Sequence, residues 1–375
     1  MDLLKNKKLG IVTNNTAVLS NGVHLVDTLA NIKGIHITAL FGPEHGIRGD
    51  APAGEKIESG TDPKTGIKVY SLYGKISKPT KEMLADIDLL IFDIQDIGAR
   101  FYTYISTLYK VLQASAENNI PIIVLDRPNP IGGLYADGPI RKDSLSSFVG
   151  IAPIPVTHGM TVGELAKLFA GREYIGKGLK PALTVIKTEN WKRNKYYDEY
   201  EFPWVSPSPN IANVEAELVY PGTCFIEGTN LSEGRGTQLP FLTIGAPFIN
   251  SKELISELKK LKIKGAEFEA VSFTPVDIPG KAKDAKLKDS LCNGIKIKVT
   301  DRKEFQSVKF GIKLICALRK LYPSQLSIKA FFDKLTGDGK IKEMILAGEK
   351  PENIINYWQG ELNDFKKIRK QYLIY

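Results

Sequence analysis

Apolar residues in the first third of the chain fall into short continuous runs separated by stretches with helical spacing. Leu9 to Thr13, Ile35 to Phe41, Asp88 to Ile94 and Ile120 to Leu125 are such runs, which predicts strands buried on both faces. Gly22 to Ala30, Thr80 to Ala85 and Tyr102 to Asn118 carry the 3.6-residue spacing of helices. Strands that alternate with helices require a parallel sheet covered on both sides, and right-handed crossovers make it a doubly wound, Rossmann-like sheet. After Pro128 this rhythm breaks. Pro128 to Pro139 and Trp204 to Asn213, rich in Pro, Gly and Ser, read as ordered loops. Beyond Phe241 the pattern predicts amphipathic helices at Ser251 to Leu261, Lys303 to Leu321 and Ile354 to Arg369, with a strand at Gly294 to Val299. The expected division lies near residues 140 to 160. It gives an α/β, Rossmann-like catalytic domain over 1–150 and a smaller α+β domain over 151–375 that closes the active-site cleft.

A length of 375 residues supports that division, because it exceeds the roughly 250 to 300 at which one core stops growing. With 43% apolar and 25% charged residues, and no low-complexity tract or internal repeat, the chain reads as globular. The formal charge of +9 is spread over helix-like stretches without an Arg-and-aromatic stripe, so nucleic acid is not an expected partner. A basic field can still attract an anionic substrate. The widely spaced Cys224, Cys292 and Cys316 suit neither a disulfide scaffold nor a zinc site. None of the four histidines stands at a local ligand spacing from another, so no metal is expected. Met1 to Lys8 does not read as a leader, and no run is long enough to span a bilayer. The chain is therefore expected to be cytoplasmic, or exported to the periplasm or exterior with its leader absent from this sequence.

Chemistry concentrates where the strands end. The first strand runs into Asn14, the second into Gly42-Pro43-Glu44-His45-Gly46-Ile47-Arg48-Gly49, the third into Gln95-Asp96-Ile97-Gly98-Ala99-Arg100, and the fourth into Asp126-Arg127-Pro128-Asn129. In an open parallel sheet these exits share the edge where ligands bind. Gly42, Pro43, Gly46 and Gly49 hold a tight path that displays Glu44 and His45, as acid–base work demands. Asp93, Asp96 and Arg100 also read as a buried ion pair tying down the sheet edge, and Arg127 with Asn129 as either structural groups or a carboxylate clamp. In the second half, Thr161 and Glu164 form a capping box that leaves His158 free. Ser208 and Asn210 in Pro-Ser-Pro-Asn, and Glu227, Glu233 and Arg235 in the run Glu227 to Thr237, lie in loops dense in hydrogen-bonding groups. The latter lacks the order of a phosphate loop, no dinucleotide fingerprint follows the first strand, and neither a nucleophile elbow nor a Cys–His pairing is present. Carboxylate and histidine chemistry with polar clamps remains. It suits a sugar substrate.

The segments GPEHGIRG, SLYGK, FDIQDIGARFYTY, VLDRPNP, SFVG, HGMTVGELA, PSPN, EGTNLSEGRGT and KQYLIY together resemble the NamZ-type exo-β-N-acetylmuramidases, in the same order and from about Leu9 to Tyr375. One departure is Ile211-Ala212-Asn213, where the family often has a Met-Pro-Thr type run. The resemblance implies a glycoside hydrolase that releases N-acetylmuramic acid from non-reducing ends of peptidoglycan fragments, without metal or nucleotide, in a cleft between a Rossmann-like and a smaller domain. It places the family's catalytic glutamate on Glu44. Its other polar motif residues fall on His45, Arg48, Asp96, Arg127, Asn129, His158, Ser208, Asn210, Glu227, Glu233 and Arg235; Asn14 and Gln95 join them as strand-exit candidates. Such hydrolysis normally needs two carboxyl groups, so Glu44 is expected to donate the proton, with Asp96, Glu233 or the substrate's own acetamido oxygen as its partner. Arg48, Arg127 or Arg235 would clamp the lactyl carboxylate. The rival readings are a non-catalytic protein that holds a muropeptide or sugar, and a nucleotide-dependent enzyme.

Overall fold

A computed structural model of the chain describes residues 3–49 and 59–375. In chain order the strands are β1 (Lys8–Thr13), β2 (His36–Gly42), β3 (Gly60–Thr61), β4 (Lys68–Ser71), β5 (Leu89–Asp93), β6 (Ile122–Leu125), β7 (Leu183–Ile186), β8 (Thr243–Ala246), β9 (Ala266–Phe273) and β10 (Cys292–Val299). The helices are α1 (Leu25–Ala30), α2 (Lys81–Leu84), α3 (Tyr104–Asn118), α4 (Val162–Gly171), α5 (Val214–Thr223), α6 (Ser251–Lys260), α7 (Ser307–Leu321), α8 (Phe331–Thr336), α9 (Gly339–Leu346), α10 (Pro351–Tyr357) and α11 (Gln359–Lys370). Among the described residues no helix is long and apolar enough to cross a membrane.

The first seven strands form one sheet in the order β3-β4-β2-β1-β5-β6-β7, parallel except for β3 at its edge. The chain winds outward from β1 through β2 to β4, returns to β5 on the other side of β1, and winds outward again. The order therefore reverses between β1 and β5, which is where an open sheet of this kind leaves a crevice. Every residue of β5 is buried, with Leu90 and Phe92 packed towards α3 and α4 and Leu89 and Ile91 towards α1. That division explains its unbroken apolar run. The edge strand β7 alternates instead.

This sheet extends past residues 140–160, where the sequence pattern places the division. After the loops that follow Pro128, α4 packs on β6, and β7 adds Leu183 to Ile186 alongside it. The second unit is a smaller antiparallel sheet, β8-β10-β9, with α6 against β9 and β10. Helix boundaries differ where a side chain competes for the backbone. The helix expected from Gly22 starts at Leu25, because the His24 ring caps the Val26 N–H. The one expected over Ile354 to Arg369 divides at Trp358, whose buried indole N–H donates to Asp137 across 2.9 Å. Arg100 is fully buried but pairs with no aspartate among the described residues; its guanidinium donates to the carbonyls of Pro139, Ile154 and Leu335. Asp93 pairs with Arg127 instead.

Candidate active site

The exits of β2, β4 and β5 converge on a cleft of about 360 Å³. Leaving β2, the chain turns at Gly46, whose N–H donates to Pro43, and passes through left-handed conformations at His45 and Gly46, with φ of 72° and 75°. A left-handed histidine is uncommon. The turn leaves Glu44 half-buried on the cleft wall with His45 beside it. Thr103, in the turn before α3, donates its hydroxyl to Glu44 Oε2 across 2.7 Å. Tyr73, just beyond β4, lines the cleft close to the same carboxylate; burial first, and then the charge of Glu44, hold its phenol above the ordinary range. The exits of β4 and β5, on either side of β2, thus meet at one carboxyl group.

The second half supplies the other wall. Gly234 and Gly236 flank Arg235 at φ of 81° and 80°, and a Cβ at either would lie 2.6 Å from the Thr243 carbonyl oxygen or 2.5 Å from that of Val276. Only glycine fits this backbone path. Arg235 stands over the Phe241 ring, donates to Glu227 across 2.9 Å and lies 3.5 Å from Glu233. Lys286 reaches Glu233 at 2.8 Å. Burial pushes the Glu227 carboxyl above its ordinary pKa, against the opposing pull of Arg235. Burial alone would lower the Arg235 pKa, but Glu227 and Glu233 raise it overall. The cleft therefore sets one carboxyl group on the sheet side against two tied into a charged network.

Of the residues proposed from sequence, Glu44, His45, Ser208, Glu227, Glu233 and Arg235 line this cleft. The others do not. Arg48 is held by Asp62, with contacts of 3.0 and 2.7 Å, and by Asp27 at 2.9 Å. Arg127 makes a two-pronged pair with Asp93. Asn129 bonds the Met160 carbonyl and the Ile131 N–H, while Asn210 bonds the Lys281 carbonyl. Beneath the cleft, Asn14 accepts from the Thr16 N–H and hydroxyl, and Gln95 donates to the carbonyls of Asp96 and Pro128. Asp96 accepts from the Gly98 N–H and lies 3.3 Å from the buried His158.

Sequence reasoning missed Tyr73, Tyr102, Thr103, Tyr220, Lys281, Lys283 and Lys286, all in the cleft lining. The strand-exit rule would have found Tyr73 and Thr103 had β4 been recognised and the exit of β5 followed three residues further. The lysines lie in a coil with no periodicity to flag them. A larger cavity of about 770 Å³ elsewhere is walled by helix ends and surface lysines such as Lys260 and Lys320, both spent on Glu257, and takes in no strand exit. Among the described residues no group of three or more His, Cys, Asp or Glu is arranged to hold a metal ion.

Residues 9–215 match the N-terminal part, and residues 218–375 the C-terminal part, of the family described as exo-beta-N-acetylmuramidase NamZ. A Bacillus subtilis (strain 168) protein described as peptidoglycan beta-N-acetylmuramidase NamZ is 49% identical over 374 residues, which covers 99% of this chain and 88% of that protein. Two crystal structures of DUF1343 family proteins from Bacteroides fragilis NCTC 9343 superpose over 100% of this chain. One has a TM-score of 0.92 at 33% identity and is covered over 95% of its length. The other has a TM-score of 0.80 at 32% identity, covered over 96%.

Proposed function

This chain belongs to the exo-β-N-acetylmuramidase NamZ family and is a glycoside hydrolase of peptidoglycan, and from that premise we propose that Glu44 protonates the leaving oxygen as terminal N-acetylmuramic acid is released. One observation carries the assignment: the Glu44 carboxylate, bonded by Thr103 and with Tyr73 close by, lines the open cleft together with Glu227 and Glu233. The Thr103 hydroxyl orients this carboxyl group. As the glycosidic bond breaks, the proton passes from Glu44 to the departing oxygen and positive charge develops at the anomeric carbon. Glu233 is the partner we favour to stabilise that charge, since on the opposite wall it lies within reach of both Arg235 and Lys286. Asp96 is ill placed for the task, with its carboxylate turned to Gly98 and His158 below the cleft. Water completes the reaction at the anomeric carbon, and the carboxylate of Glu44 accepts its proton, which restores the enzyme.

Glu44→Gln removes the proton but keeps the shape and can still accept from Thr103. We expect this variant to fold normally and to lose turnover of a chromogenic N-acetylmuramide by on the order of 10²- to 10⁴-fold. Wild-type turnover in a correctly folded Glu44→Gln protein would refute the assignment.

A further inference from the structure

Of the cations in the cleft lining, Arg235 and Lys286 are committed to Glu227 and Glu233, and Lys286 also donates to the Ile226 carbonyl. The guanidiniums of Arg48 and Arg127 are outside the cleft, each saturated by carboxylates. Lys281 and Lys283 differ: both line the cleft, both are exposed, and neither enters an ion pair among the described residues. Of the nearby acids, Asp277 is paired with Lys288 and also feels the charge of Lys283, and Asp284 lines the cleft beside the two lysines.

The backbone beneath these two lysines is fixed from several directions. Asn210 donates to the Lys281 carbonyl across 2.9 Å, Val276 N–H donates to Gly236 across 3.0 Å, and Asp289 N–H closes the loop on Pro275 across 2.8 Å. Ala282, between the two lysines, is buried and donates to the Ile278 carbonyl. The loop is a sewn-down wall whose two exposed lysines line the cleft without an ion pair among the described residues.

We propose that Lys281 and Lys283 form a carboxylate-recognition subsite that engages the lactyl group, the feature by which N-acetylmuramic acid differs from N-acetylglucosamine. The inference rests on the reading of this cleft as the muramidase site, and it replaces the arginine clamp suggested by the sequence. Ammonium groups on flexible stems suit an anion of variable approach, where a guanidinium would demand a planar, bidentate partner.

Calorimetric titration of the whole protein with N-acetylmuramic acid and with its lactyl methyl ester tests this directly, because binding is read independently of turnover. Two partly exposed charge contacts predict that the acid binds roughly fivefold to tenfold more tightly than the ester, a preference that shrinks as salt is raised. Lys281→Ala combined with Lys283→Ala should abolish the preference, whereas the paired arginine substitutions keep it. A preference that survives in the double alanine protein, or is missing from the wild type, overturns the subsite. Glu44→Gln separates the two ideas: if it is inactive yet still prefers the acid, both stand, and if it is inactive while no preference exists, only the subsite falls. Wild-type protein that neither binds the sugar nor cleaves a muramide would remove the premise and the subsite together.

Discussion

Glu217, in α5, is buried with neither carboxyl oxygen hydrogen-bonded among the described residues. Burial, reinforced by the charges of Asp96 and Asp198, pushes its pKa well above the ordinary carboxylate range. The folded protein therefore holds this proton at pH values where the unfolded chain has lost it. Stability falls as pH rises from the unfolded carboxylate range towards the folded pKa, because the folded state binds more protons across that window. Glu217→Gln cannot ionise, so its stability relative to wild type should be about 1 to 3 kcal/mol more favourable at pH 8 than at pH 5, measured by urea unfolding at both. An equal difference at the two pH values would mean that the carboxyl finds a partner and ionises without cost. Such residues mark the limit of sequence reading. Glu44 was legible because the glycines and proline that display it are its chain neighbours. Arg48 and Arg127 were candidates for a clamp because their partners lie 14, 21 and 34 residues away, and only the fold reveals that those guanidiniums are already occupied.

Elements obey the same rule on a larger scale. The strands β1, β5 and β6 announced themselves because central positions demand apolar side chains on both faces. The four-residue strands β4, β7 and β8 are too short to show a period, and α5, for which no helix was expected, carries Pro221 and Gly222 within it. The reason for those two residues lies in packing between helices. Gly222 of α5 and Gly311 of α7 meet backbone to backbone: a Cβ on Gly311 would stand 2.4 Å from the Gly222 carbonyl oxygen, and one on Gly222 would stand 2.0 Å from that of Ser307. Neither obstacle is a flexible side chain, so the helices must separate to admit a methyl group. Gly311→Ala adds helix propensity of ~1 kcal/mol, yet we expect net destabilisation of roughly 1 to 3 kcal/mol, because overpacking against rigid backbone outweighs it. Denaturant unfolding measures the sign. A stabilised Gly311→Ala protein would show that this contact can open freely. Since α5 leads directly into the segment carrying Glu227, the variant should also slow turnover of a muramide.

The length of the chain argued for two cores, but the molecule has built across them. One apolar cluster runs from Val12 and Phe92 of the parallel sheet through Phe101, Tyr220, Phe225 and Phe241 to Phe332 and Trp358. Polar ties cross the same boundary: Arg100 donates to Leu335, Tyr375 to Asp126 across 2.7 Å, and Trp358 to Asp137. This matters for catalysis because Glu44 stands on one wall of the cleft and Glu233 on the other, and their separation is only as fixed as the join. Independent domains would unfold in separate steps. A shared core predicts a single calorimetric transition, with muramidase activity lost in step with it. Trp358→Phe keeps an aromatic ring in place but removes the indole N–H from Asp137, whose same oxygen still accepts from Gly138. The cost should be about 1 to 3 kcal/mol. The whole transition should move down in temperature as one, even though the substitution lies far along the chain from the sheet. Two resolved transitions, of which Trp358→Phe shifts only one, would mean that the halves are separately stable and that the catalytic walls are held together by contact alone.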